Sequence, residues 1–251
     1  MIEARGLTKL FKDRKLGEIR AVDNVSFVCK PGQIYCLLGA NGAGKTTTLR
    51  MLATILEPSA GTAKICGHDV VESPQKVRAS VGFLSAATAL YPRLTSREMV
   101  EYFGRLNGLS RGTLKKRLDD IFQRLDMNSF RDRRCDNLST GMKQRTSIAR
   151  TLIHDPQVMI FDEPTLGLDI MTARTIITFI RECRERGKTV VFSTHVMREV
   201  EKLCDVIGII QSGRLLAEGS LAELREQHHE NDLEEIFVKV VAPHYSAQEA
   251  H

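Results

Sequence analysis

The chain has 251 residues, 42% of them apolar and 27% charged, a composition that excludes a fibrous, low-complexity or disordered chain and fits one globular domain. Its 36 Lys+Arg against 31 Asp+Glu leave a formal net charge of only +5, and Asp132 interrupts the densest basic group, 131–134, so the concentrated basic stripe of a nucleic-acid binder is missing and no nucleic-acid partner is expected. No apolar run approaches the ~18 residues of a membrane-spanning helix, and the first five residues already carry Glu3 and Arg5 with no apolar h-region behind them, so neither a membrane span nor a secretory leader is expected.

In chain order, the N-terminal part alternates short β-type runs with turns. The run 21–29 ends at Pro31-Gly32, and 33–38 is apolar up to Gly39, the pattern of a buried strand bounded by glycine. Helical spacing follows over 49–56, then a strand over 81–84. Helical patterns recur over 96–107, 113–127 and 141–154 without an intervening strand, which predicts a helical lobe, about 87–137, inserted into the core. Strands at Val158–Asp162, Thr189–Thr194 and 206–210 then alternate with helices over 171–184 and 197–204. The alternation predicts an α/β fold with a mostly parallel sheet, an antiparallel β region and the inserted helical lobe. One domain is expected over 1–227, closed by an edge strand at 215–219 and a short helix at 220–227, and the polar extension 228–251 is expected to be loosely held.

Gly39-Ala-Asn-Gly-Ala-Gly-Lys-Thr46 matches GxxxxGK[ST] with a strand before it and a helix after it, the context a phosphate loop requires. Glycines let backbone N–H groups approach phosphate without a Cβ in the way, and the helix N-terminus adds about half a positive charge. The predicted cradle comprises Gly39, Asn41, Gly42, Ala43, Gly44, Lys45, Thr46 and Thr47, with Lys45 reaching the β- and γ-phosphates of a nucleotide and the Thr46 hydroxyl ligating Mg²⁺. The strand Val158–Asp162 ends in two acids. Asp162 is the expected metal carboxylate, and Glu163 the group that polarises the attacking water.

Leu138-Ser-Thr-Gly-Met-Lys-Gln-Arg145, about twenty residues before Asp162-Glu163, resembles the LSGGQ signature of ABC ATPases, and Leu166-Gly-Leu-Asp169 is similar to that family's D-loop. His195, just past the 189–194 strand, resembles its switch histidine, and Phe11 stands where an aromatic stacks on adenine. The resemblance runs from about Thr8 to Gly219 with the motifs in family order. It implies ATP and Mg²⁺ as ligands, catalytic roles for Glu163, His195 and Lys45, and a head-to-tail dimer. In that dimer Ser139, Gly141 and Asp169 of one copy close over ATP held by the other. It further implies separate transmembrane permease subunits and a cytoplasmic chain peripheral to the membrane. The anion-binding character of Ser139 and Gly141 at a helix start agrees with this.

Two departures stand out. Ala86 occupies the position of the Q-loop glutamine, and the signature carries Thr140 and Met142 where glycine and glutamine are commoner. Residues 82–85 with Leu90-Tyr91 and Leu94-Thr95, the signature itself, and 10–22 with its basic insertion are similar to ATPase subunits of sodium-extruding ABC exporters of the NatA type. The function implied is therefore ATP-driven export, with Na⁺ as cargo. Two alternatives remain: a regulatory nucleotide-binding subunit with little turnover, to which the missing glutamine lends weight, and a soluble ABC-type ATPase unconnected with transport. The latter usually needs a coiled-coil insertion or tandem cassettes. No NKxD motif for reading guanine occurs, which disfavours a GTPase. The six cysteines form no CxxC pair and no metal-ligand spacing with histidine, so they are expected to be reduced thiols, several packed as small apolar residues.

Overall fold

In the computed structural model, which describes residues 1–13, 17–85 and 89–245, a parallel sheet buried on both faces organises the chain. Its strands are β3 (Ile34–Leu38), β6 (Val81–Ser85), β7 (Val158–Asp162), β8 (Thr189–Thr194) and β9 (Val206–Gln211), with β10 (Arg214–Gly219) added antiparallel at the edge in the order β10-β9-β3-β8-β7-β6. Because side chains alternate across a strand, Ile34, Cys36 and Leu38 enter one core while Tyr35 and Leu37 enter the other. Met159 and Phe161 of β7 follow the first set, and Val158 and Ile160 follow the second. Two-sided burial is why these strands read as continuous apolar runs.

The second core is closed by an antiparallel sheet of β1 (Ile2–Asp13), β2 (Gly17–Cys29), β4 (Ala60–Ile65) and β5 (His68–Asp69), in the order β2-β1-β4-β5. Together with α1 (Lys45–Leu52) and α2 (Pro74–Ser80) it covers one face of the parallel sheet. The predicted helix over 49–56 is displaced to α1. It starts at Lys45, after a left-handed Gly44, and the chain leaves it at Thr54, whose φ is +56°. The α2 segment has no counterpart among the predicted elements, because only Val77 of its seven residues is buried and no periodicity results.

The other core holds α3 (Ser96–Leu106), α4 (Arg111–Arg124) and α5 (Thr140–Leu152). Thr95 caps α3 in a reciprocal box, its hydroxyl accepting from Glu98 N at 3.1 Å while Thr95 N donates to Glu98 Oε2 at 2.8 Å. Gly104 lets α3 approach Leu114 of α4, and buried Ser96 meets Thr146 of α5 at 3.1 Å. Among the described residues, 89–137 contain helices and turns and no strand, as the helical signals predict. The remaining helices are α6 (Ile170–Glu185), α7 (Met197–Leu203), α8 (Leu221–His228) and α9 (Leu233–Tyr245).

The extension 228–251, expected to be loosely held, is corrected over 233–245. There α9 buries Leu233, Ile236 and Val241 in the core. The polar residues that flank it hide an apolar helix face that packs against β9, β10 and α7. Residues 246–251 lie outside the described residues.

Four cysteines, Cys29, Cys36, Cys135 and Cys183, are buried as expected. Burial pushes the thiols of Cys29 and Cys183 up to about 12, so neither supplies thiolate near neutrality. At about pH 8 the folded chain should label at these two positions with iodoacetamide far more slowly than the urea-unfolded chain. Peptide mass mapping reads this directly, and equal rates in the two states would contradict the packing.

Candidate functional site

The phosphate loop turns between β3 and α1. Gly42 and Gly44 have φ of +81° and +102°, and a Cβ on Gly44 would stand 2.6 Å from the Ala21 carbonyl oxygen and 3.2 Å from Gly213 Cα. Glycine at 44 is therefore required twice, by its backbone conformation and by close packing. Ala43, Gly44 and Lys45 are buried, Thr46 and Thr47 half-buried, and Asn41 and Gly42 exposed. As at any helix start, the first N–H groups of α1 have no partner one turn back. They open at a loop already shaped for an anion.

Strand register supplies the rest. At the carboxyl ends of β6, β7 and β8, Ser85, Asp162 and Ser193 pair side by side. Ser193 donates to Asp162 Oδ1 at 2.9 Å, Ser85 to Oδ2 at 3.4 Å, and Thr46 reaches across from α1 to Oδ1 at 2.8 Å. The Asp162 side chain, 4% exposed, thus sits among three hydroxyls that satisfy its oxygens. Thr46 and Asp162 converge as hard oxygen donors, the set that suits Mg²⁺.

Glu163 follows in the left-handed region, φ +48°, with its N–H donating to Ser193 Oγ at 3.0 Å. Non-glycine residues in this conformation cluster at functional sites. The turn aims the Glu163 carboxylate at two partners: Oε1 lies 3.1 Å from Lys45 Nζ, and Oε2 lies 3.0 Å from His195 Nδ1. The 5%-exposed Lys45 ammonium also donates to the carbonyls of Gly39 at 2.7 Å and Ala40 at 3.1 Å. Lys45, Thr46, Asp162, Glu163 and His195 are therefore brought into one cluster at the carboxyl ends of the strands, where open α/β sheets place their ligands.

Ser139, Gly141 and Asp169 are not part of that cluster. They line a second cleft with Thr172 and Arg145, which includes none of the five residues just named. Ser139 caps α5, its hydroxyl accepting from Met142 N at 3.3 Å. Asp169 caps α6, accepting from Met171 N and Thr172 N at 3.0 Å each and from Thr172 Oγ1 at 2.6 Å. The Thr172 hydroxyl, with these backbone donors, holds the Asp169 carboxyl below the usual carboxylate range. Phe11 stands on β1 opposite Ile19, 38% exposed, with Lys9 Nζ 5.5 Å from its ring centroid. The same hairpin touches the phosphate loop through Ala21. Ala86 lies outside the described residues.

A family profile described as ABC transporter matches residues 22–166, a span that contains the phosphate loop, the signature helix start and the Asp162-Glu163 pair. The chain belongs to the ABC transporter family. It is 42% identical over 239 residues to the ABC transporter ATP-binding protein NatA of Bacillus subtilis (strain 168), covering 95% of this chain and 97% of that one. It is 41% identical to Nod factor export ATP-binding protein I of Paraburkholderia xenovorans (strain LB400), covering 89% of this chain and 74% of that one. Among solved structures, an ATP-binding subunit of an ABC transporter superposes with a TM-score of 0.85 at 27% identity, covering 96% and 99% of the two chains. The dimeric post-hydrolysis structure of the ATP-binding cassette MJ0796 with ADP and Pi superposes at 0.79 and 27%, covering 88% and 98%.

As an ABC transporter ATP-binding subunit, the chain is an ATP hydrolase. Its described residues contain no helix long and apolar enough to cross a membrane. Several residues that build this ATPase site escape the motifs. Ser85 and Ser193 flank Asp162 only through strand order, and Gln144, though within the signature stretch, has a contact no motif assigns: its Nε2 donates to the Pro164 carbonyl at 3.4 Å and joins the signature helix to the loop after Glu163. A serine at or next to the carboxyl end of an apolar strand, Ser85 closing β6 and Ser193 one residue before the end of β8, is the one local signal that points to them.

Proposed function

We propose that this chain is the ATP-hydrolysing subunit of an exporter, with Na⁺ as its cargo. Lys45 and the glycine loop hold the ATP phosphates, with Asn41, Ala43 and Thr47 lining the same cradle. Thr46 and Asp162 hold Mg²⁺, which supplies neutralisation of phosphate charge when bound. Glu163 accepts the proton of the attacking water, and His195 orients Glu163 and the γ-phosphate through its ring nitrogens. Phe11 stacks on adenine. Ser139, Gly141 and Asp169 of a second copy close the site head-to-tail, and hydrolysis separates the copies again.

The observation that carries this reading is the single cluster formed by Lys45, Glu163 and His195, at 3.1 and 3.0 Å, on the rim of a left-handed phosphate loop. The separation of the signature cleft from that cluster within one chain supports a shared site. Identity of 42% to the NatA protein supports the sodium-exporter subfamily, and 41% identity to a Nod factor export protein supports export. Separate permease subunits then carry the pore, with the helical lobe near Tyr91 and Glu101 docked beneath them and the chain peripheral on the cytoplasmic face. Tyr91 is 52% exposed and stacks edge-on with Tyr102 at 5.9 Å, an aromatic surface fit for such a contact.

The test is ATP-driven ²²Na⁺ flux in vesicles holding this chain with its co-purifying membrane subunits. Accumulation that requires ATP is expected, and flux of another cargo in its place would overturn the sodium assignment. In the same preparation Ala86→Gln should alter the Mg²⁺ dependence of ATPase turnover, and an unchanged profile would show that position 86 is not a missing ligand.

A further inference from the structure

Behind the Glu163–His195 pair lies a buried carboxylate that no motif assigns. Glu199, in the first turn of α7 and 8% exposed, accepts from Thr165 Oγ1 at 2.6 Å through Oε1 and from Thr194 Oγ1 at 2.9 Å through Oε2. Thr165 is two residues past Glu163, and Thr194 immediately precedes His195. Thr194 Oγ1 in turn accepts from Val196 N at 3.1 Å, on the other side of His195. Its partners are hydroxyls, and among the described residues no Lys, Arg or His forms an ion pair with it. A carboxylate buried without a cation is costly to folding, and an apolar side chain would fill the same space without that cost.

We infer that Glu199 is a positioning residue for ATP hydrolysis: its two oxygens clamp the segment after Glu163 to the end of β8 and so hold Glu163 against His195. The 3.0 Å contact between Glu163 Oε2 and His195 Nδ1 joins two segments that diverge in sequence by thirty-two positions. Ser193, through the Glu163 N–H, ties them on the strand side. Glu199 ties them on the far side, beyond both reacting groups. A shift of about 1 Å at such a pair is enough to lower turnover by up to about a hundredfold without touching nucleotide binding. The inference rests on the roles proposed above for Glu163 and His195.

The test is steady-state ATPase of the full chain with melting curves for Glu199→Ala, Glu199→Gln, Thr165→Val, His195→Ala and the Glu199→Ala/His195→Ala pair. Glu199→Ala should lower kcat about tenfold or more with KM for ATP within about twofold. Glu199→Gln, whose amide accepts one hydroxyl and donates to the other oxygen, should keep at least about a third of wild-type kcat. Thr165→Val removes one of the two ties from a folded chain and should fall between them; it decides the question if the alanine variant aggregates. In the His195→Ala background, Glu199→Ala should cost little more, since a residue acting through His195 has nothing left to position. Unchanged kcat in Glu199→Ala or Thr165→Val, a KM that rises as kcat falls, no rescue by glutamine, or multiplicative losses in the double variant would each overturn the clamp. Wild-type turnover in His195→Ala alone would instead remove the role of His195, a separate and distinguishable failure.

Discussion

Glu163→Gln leaves ATP binding intact and lowers hydrolysis about 10²–10⁴-fold, the range a general base contributes. Glutamine keeps the volume and the acceptor oxygen that faces Lys45 Nζ at 3.1 Å and removes only the charge and the basicity. It also relieves an ion pair: the Lys45 ammonium donates to Gly39 O and Ala40 O and stands 3.1 Å from Glu163 Oε1 as a charge partner, an attraction that a bound phosphate competes with. Affinity for ATP should therefore be equal to or above that of the wild type. With hydrolysis stalled, the ATP-bound dimer persists and is seen as twice the monomer mass by light scattering. Wild-type turnover in this variant would end the assignment of Glu163 as base.

Lys45→Ala acts on the other half of the cycle. One charge-assisted contact to phosphate is worth about 1.5–3 kcal/mol, so ATP affinity should fall about 10- to 150-fold by calorimetry. The substitution also leaves the buried Glu163 Oε1 without its cation and removes the hydrogen-bond donor of the Gly39 and Ala40 carbonyls. A lowered melting temperature is expected to accompany the lost affinity. Unchanged nucleotide affinity would contradict the phosphate assignment, and the melting curve separates that result from misfolding.

Both variants fall on positions that the sequence already discloses. The loop 39–46 and the acid pair at 162–163 are legible because their chemistry needs those residue types at that spacing, whereas the histidine at 195 is legible only through the family resemblance. The strands that present them are legible for a related reason. Burial on both faces makes β3, β7, β8 and β9 continuous apolar runs, independent of any partner. What joins them is not local. That Ser85, Asp162 and Ser193 stand in one row follows from the order β8-β7-β6 and an unshifted register, and no window of sequence contains it.

An antiparallel β region is expected from the sequence, but its first strand is not located there, for a different reason. β1 is 12 residues long with register shifts at Ala4/Leu7, Leu7/Lys9 and Lys9/Leu10, so its inward residues fall out of strict alternation. The α9 helix is hidden by its surroundings: the apolar residues around 236–242 sit between the polar stretches 228–232 and 246–251, which dominate the composition of the segment. Glu199 was invisible as well, since a glutamate in a helix reads as a solvated surface charge until tertiary structure seals it against Thr165 and Thr194.

The central claim is that one ATP is held between the phosphate loop of one copy and the α5 start of another. Asn41 and Thr140 are both exposed and sit on those two edges. In a chain carrying Asn41→Cys, Thr140→Cys and Glu163→Gln, mild oxidation should yield a covalent dimer on a non-reducing gel when ATP is present, and little with ADP or without nucleotide. A yield that is the same with and without ATP, or no covalent dimer at all, would contradict the shared site.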